Sequence, residues 1–100
     1  MKITSYGHTD EVEVVKTKYS YNDNLAIMLV CTSGEPYGFL TVNLNDNLPE
    51  EYAYVDTNNM PNAETFIEEN NLGTFAGRWA YSGYCRYPLY KFNLDSIEEA

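Results

Sequence analysis

The sequence predicts an α+β fold: a mainly antiparallel sheet of about four to six strands with one amphipathic helix packed on it. Three observations carry this expectation. Alternating or continuous apolar runs recur along the chain, separated by clusters of Asn, Asp, Gly and Pro. A single stretch, near residues 61–71, has helical spacing instead. Strands and helix do not alternate regularly, so nothing points to a parallel sheet of βαβ units.

The first strand is expected over residues 11–20, where Val12, Val14 and Val15 stand among Glu11, Glu13 and Lys16 in a pattern suited to one wet face. Tyr21-Asn22-Asp23-Asn24 supplies the turn, because Asn and Asp tolerate left-handed backbone and bond to their own main chain. Leu25 to Cys31 is apolar on both faces and reads as the most buried strand. Ser33-Gly34-Glu35-Pro36 breaks it, and Tyr37 to Leu44 resumes the alternation, completing a three-stranded antiparallel meander.

Asn45 to Pro49 is expected to loop, and Tyr52 to Asp56 to form a short strand near an edge. The helix is placed from Pro61 to Asn71, entered through Asn and Asp residues able to cap it. Ala63, Phe66, Ile67 and Asn70 share its inner face, while Glu64, Glu68 and Glu69 point elsewhere. Gly73 is placed to end it in the left-handed conformation. Tyr81-Ser82-Gly83 turns the chain into a last strand, Tyr87 to Leu94, whose Pro88 implies an edge or a strand start. Residues 95–100 read as a frayed tail or a single helical turn on an otherwise single domain spanning 1–100.

Fifteen acidic residues against six basic ones give a formal charge of −9. Such a surface repels nucleic acid and anionic lipid and favours basic protein partners, so direct DNA binding is not expected. With 44% apolar and 15% aromatic residues the chain has the composition of a folded protein. No apolar run approaches membrane-spanning length or a signal sequence, and the expected compartment is the cytoplasm. Cys31 and Cys85 lie in no metal-binding spacing and read as two buried thiols, with a disulfide sterically possible but not expected in a reducing compartment.

Catalytic constellations are hard to assemble from these residues. His8 is the sole histidine and has no second ligand beside it, so neither a metal nor a cofactor is expected. The pairs Glu50-Glu51, Glu68-Glu69 and Glu98-Glu99 are adjacent in sequence, which points their carboxylates apart rather than across a scissile bond. One segment departs from the acidic character of the rest. Between Asn70 and Leu94 no acidic residue occurs, while Arg78, Arg86 and Lys91 stand among seven aromatic residues. Arg and aromatic side chains dominate protein hot spots, and a guanidinium beside rings can also hold a phosphate or stack a base. The competing structural reading has Trp79, Tyr87, Leu89 and Phe92 filling the core against the helix.

Four separated segments carry a family likeness: Phe39 to Leu44, Tyr54 to Asn59, Phe66 to Gly73, and Gly83 to Phe92. Across residues 20–94 the chain resembles a small domain-of-unknown-function family met on plasmids, integrative elements and phages, chiefly of Firmicutes. The resemblance brings no catalytic residues with it and implies a context. Small acidic proteins of mobile elements often act against host defence, where a negative surface imitates DNA toward a restriction or CRISPR effector with a basic channel.

Three functional readings follow. The leading one is a protein-binding inhibitor or accessory factor of a mobile element, contacting a host or element-encoded protein through Glu50, Glu51, Asp56, Glu64, Glu68 and Glu69. The second is a small-molecule sponge in which Arg78, Trp79, Arg86 and Tyr87 hold a nucleotide-like anion. The third is an assembly subunit that forms homo-oligomers through an exposed apolar edge. Enzyme activity ranks last.

Overall fold

A computed structural model describes residues 1–44 and 46–100; Asn45, which the sequence places in the loop after residue 44, lies outside them. The fold is α+β, with a five-stranded and a four-stranded sheet enclosing one short helix. The first sheet contains β1 (Lys2–Ser5), β2 (His8–Lys18), β3 (Leu25–Cys31) and β4 (Pro36–Phe39) in that order. The second runs β5 (Thr41–Val42), β6 (Tyr52–Val55), β8 (Cys85–Phe92), β7 (Gly73–Ser82). β9 (Glu98–Glu99) joins the first sheet by pairing parallel with Val15 and Lys16 of β2. No described helix is long and apolar enough to cross a membrane.

The expected meander is present as β2, β3 and β4, all antiparallel. β3 is the central buried strand, with Leu25, Ala26, Ile27 and Leu29 nearly inaccessible. β1 was not anticipated. It pairs with β2 through a two-residue turn at Tyr6 and Gly7, both at positive φ (52° and 78°), the backbone twist that suits a tight hairpin.

The strand expected over residues 37–44 divides at Leu40. Its first half, β4, pairs with β3, and its second half, β5, pairs with β6 in the other sheet. Leu40 is the joint: its N–H donates to Ile27 O at 2.8 Å and its carbonyl accepts from Asp56 N at 2.9 Å. Next to it, Thr41 Oγ1 accepts from the buried Ile27 N–H at 3.1 Å and lies 2.9 Å from the Tyr19 hydroxyl. The alternation of hydrophobicity survives the change of sheet, which is why the sequence reads as one strand.

Helix α1 (Ala63–Glu69) buries Ala63, Phe66 and Ile67 in the main core, as the spacing predicts. It is shorter than expected, and its ends differ. Asn62 precedes it but makes no capping bond; its amide reaches the Thr4 carbonyl of β1 instead. Asn71, not Gly73, takes the left-handed conformation (φ 54°). Gly73 opens β7, where a Cβ would lie 2.6 Å from Lys91 O, so the glycine permits close strand approach rather than a helix stop.

β6 lies one strand in from the edge, between β5 and β8, which matches the expected place near an edge. Pro88 lies inside β8, yet β6 pairs only with Leu89 to Lys91, leaving that side of β8 open where the proline stands. Of the two expectations for the tail, the single helical turn is met by a 3-10 turn at Leu94–Ser96, and the segment is anchored rather than frayed. Ile97 is buried in the main core, Ala100 N donates to Lys16 O at 2.9 Å, and Lys16 Nζ donates to Leu94 O at 2.6 Å.

Two apolar clusters result. The main core fills the space between the sheets and α1. A smaller one, Tyr54, Tyr87 and Leu89 with Val42, Leu44, Leu48 and Tyr52, lies on the opposite face of the second sheet. The two cysteines are free and divide between the clusters, Cys31 against the first and Cys85 against the second.

Candidate functional site

Two surfaces stand out. The first is the acidic one. Only three ion pairs form among the described residues: the N-terminal amine with Glu11 at 3.5 Å, His8 with Asp10 at 3.3 Å, and Arg78 with Asp46 at 3.9 Å. Most carboxylates therefore face solvent without a local counter-charge. Glu50 and Glu51 are exposed in the turn entering β6, and Glu68 and Glu69 are exposed on α1. They do not form one patch: Glu50 borders a cleft with Lys16, Lys18 and Glu99, whereas Glu69 borders another with Lys2 and Thr4.

Two of the six acidic candidates are placed differently from the expectation. Glu64 is half-buried and accepts from the Tyr90 hydroxyl at 3.0 Å. Asp56 is buried at 9% exposure; its Oδ1 accepts from Asn59 N at 3.2 Å and its Oδ2 from Asn59 Nδ2 at 2.8 Å. Held in that turn, Asp56 is not on the exposed acidic surface; its carboxylate borders a cleft instead.

The second surface is the β7–β8 hairpin. Its turn is Gly83-Tyr84, with Gly83 at φ 62° and Tyr84 wholly exposed. Directly paired residues share a face of a sheet, so Tyr81 opposite Arg86 and Trp79 opposite Pro88 lie on the side that carries Tyr90 and Phe92. On this side Phe75 packs 5.6 Å from Trp79 and 5.9 Å from Tyr90, and the Arg86 guanidinium sits 4.2 Å from the Trp79 ring centroid. Phe75, Trp79, Tyr81 and Tyr84 are all exposed, so this stripe continues the core aromatics outward into solvent. Between Phe75 and Trp79 the pairing slips, and Ala76-Gly77-Arg78 bulges out with Gly77 at φ 87°.

The four residues assigned to an anion clamp do not converge. Trp79 and Arg86 occupy one face. Tyr87, opposite Ala80, is buried on the other with Tyr54, and Arg78 Nη2 donates to the Tyr54 hydroxyl at 3.3 Å beside Asp46. Arg86 already covers one face of the Trp79 ring, where a base would stack. The core reading of this segment holds for Phe92 against the helix, while Tyr87 and Leu89 fill the second cluster and Trp79 is 38% exposed.

Sequence reasoning missed Asp46, which accepts the Tyr54 hydroxyl at 2.6 Å and pairs with Arg78. An Asp within a run of Asn residues signals only a turn. The phenols at the site are held neutral. Burial raises the Tyr54 pKa, with the Asp46 bond adding to it and Arg78 opposing. Tyr90 is raised by burial, then by its bond to Glu64. Tyr87 is raised by burial, then by Cys85. None of the three supplies a phenolate at neutral pH. Among the described residues no group of three or more His, Cys, Asp and Glu is arranged to hold a metal ion.

No curated protein and no solved structure matches the chain. A family model does, over residues 12–100, from β2 to the anchored tail. The chain belongs to the family described as Domain of unknown function (DUF4313).

Proposed function

We propose that this is a small acidic binding protein that acts by contact with a basic protein surface, in the setting of a mobile element or phage, as an inhibitor of a host defence system. The observation that supports it is the near absence of charge compensation: a chain of formal charge −9 with three ion pairs among its described residues. Uncompensated charge on a rigid sheet scaffold steers a cationic partner and accelerates encounter, which is how a protein competes with DNA for a basic channel. The exposed contacts are Glu50, Glu51, Glu68 and Glu69.

The test is affinity capture from bacterial lysate at low salt, followed by association kinetics with each purified basic protein recovered. Combined reversal of Glu50, Glu51, Glu68 and Glu69 to Lys is expected to slow association about tenfold or more at low ionic strength, with less effect at high salt. Absence of measurable binding to purified nucleases at low salt, or an association rate indifferent to the reversal, refutes the reading.

A second reading, self-assembly, is favoured by one observation. β7 is the last strand of its sheet, and its exposed stripe of Phe75, Trp79 and Tyr81 provides the apolar edge that an assembly subunit requires. Light scattering separates the two: a concentration-dependent mass that Trp79→Ser abolishes supports assembly.

A further inference from the structure

A buried carboxylate ordinarily has a cation beside it, because removing a charge from water is costly and Asp is rarely enclosed unless paired. Asp56 is nine-tenths buried and belongs to none of the ion pairs among the described residues. Each of its two oxygens accepts one hydrogen bond from Asn59, which satisfies both but leaves acceptor capacity over, since a carboxylate accepts about four. It also lines an open cleft of about 370 Å³, with Tyr37, Phe39 and Met60 as apolar walls and Asn59 at its side. This volume is at the lower end of ligand-binding cavities and is ample for one long side chain.

We propose that this cleft is a socket for a single Lys or Arg side chain of the protein partner, with Asp56 as its counter-ion. The inference rests on the protein-contact reading above and gives it an anchor. The cation enters between the Tyr37 and Phe39 rings, which favour a guanidinium or ammonium through their π-faces, while its aliphatic stem lies along Met60. A second carboxylate adds to the negative potential: Asp10 contributes, after burial, to raising the Tyr37 pKa. The backbone of the walls comes from β1 (Ile3 and Ser5), β4 and the loop before α1, the last two tied to the Leu40 joint, while the Met60 side chain lies against Gly38. The socket's position explains how Asp56 serves recognition without being exposed: the exposed glutamates steer, and the enclosed carboxylate fixes register.

The probe is N-acetyl-arginine amide, titrated into isotopically labelled full-length protein, with N-acetyl-citrulline amide as the neutral control of similar shape and free arginine as a third arm. Saturating NMR shifts at the Asp56 to Met60 amides and the Met60 methyl are expected with the capped arginine, at least about tenfold weaker with citrulline or in Asp56→Asn, since loss of a charge pair of about 1.4 kcal/mol is a factor of ten. Should Asp56→Asn fail to fold, Met60→Lys places a tethered ammonium in the cleft and is expected to abolish the shifts. Equal binding of citrulline, shifts located elsewhere, or shifts unchanged in Met60→Lys overturns the proposal. Free arginine binding far more tightly than the capped form overturns it too, by identifying a small-molecule site. Probe binding in the cleft with no basic protein captured leaves the socket standing while the proposed function falls, and capture without probe binding does the reverse.

Discussion

Replacing Thr41 by Val removes one oxygen from the joint between the two sheets and leaves the shape of the side chain intact. Thr41 is 2% exposed, and its Oγ1 is the acceptor for the Ile27 N–H. In the variant that amide faces a methyl group, and an unsatisfied buried donor costs about 1–3 kcal/mol. The Tyr19 hydroxyl loses less, because it retains the Thr41 carbonyl at 3.1 Å. The expected destabilisation is therefore about 2 kcal/mol, mostly from the amide, which for a domain of this size lowers Tm by about 8–16 °C. Urea unfolding followed by circular dichroism measures it, with Tyr19→Phe as the comparison, expected at about 0.5–1.5 kcal/mol. The double variant should cost less than the two single losses combined, because the hydroxyls interact directly. A Thr41→Val effect below about 0.5 kcal/mol at unchanged m-value, or strict additivity, refutes the assignment of Thr41 as the acceptor that closes the joint.

Ile97→Ala is expected to cost about 2–4 kcal/mol, since the side chain is buried in the main core, and to expose the Ala100 amide to hydrogen exchange; free exchange at Ala100 in the unmodified protein would contradict the anchored tail. Gly73→Ala is expected to destabilise by about 1–3 kcal/mol through collision with the Lys91 backbone, measured by thermal melting. Alkaline pH should unfold the protein. Tyr54 and Tyr90 keep their protons in the folded state past the pH, about 10, at which an unfolded tyrosine loses its own. Stability is then intact below about pH 10 and falls above it by up to about 1.4 kcal/mol per pH unit for each of the two, a slope that Tyr90→Phe should reduce in urea titrations across pH 9–11.

The elements most legible in the sequence are those whose burial is written in a local period. β3 is apolar on both faces and central, and α1 carries Ala63, Phe66 and Ile67 on one side as its spacing requires. What escaped depends on contacts between distant positions. Nothing local in Phe39-Leu40-Thr41-Val42 records that the strand changes partner at Leu40, because either sheet presents the same alternation. The tail looked polar apart from Ile97, and one buried side chain with a two-residue strand is too short a signal to read. At the site, Arg78 and Trp79 are neighbours in sequence, which sends their side chains to opposite faces even with the bulge between Phe75 and Trp79. Composition therefore suggested a clamp that the pleat separates.

The pairing of β9 with β2 sets an order on folding during synthesis. A chain leaving the ribosome N-terminus first exposes Val15 and Lys16 long before Glu98 and Glu99 emerge to cover them. Throughout that interval the growing polypeptide presents an unprotected flank of β2, a template for mispairing with a neighbouring nascent chain. Delaying release, or appending a bulky fusion directly after residue 100, should on this account lower soluble yield more than the same fusion placed ahead of residue 1.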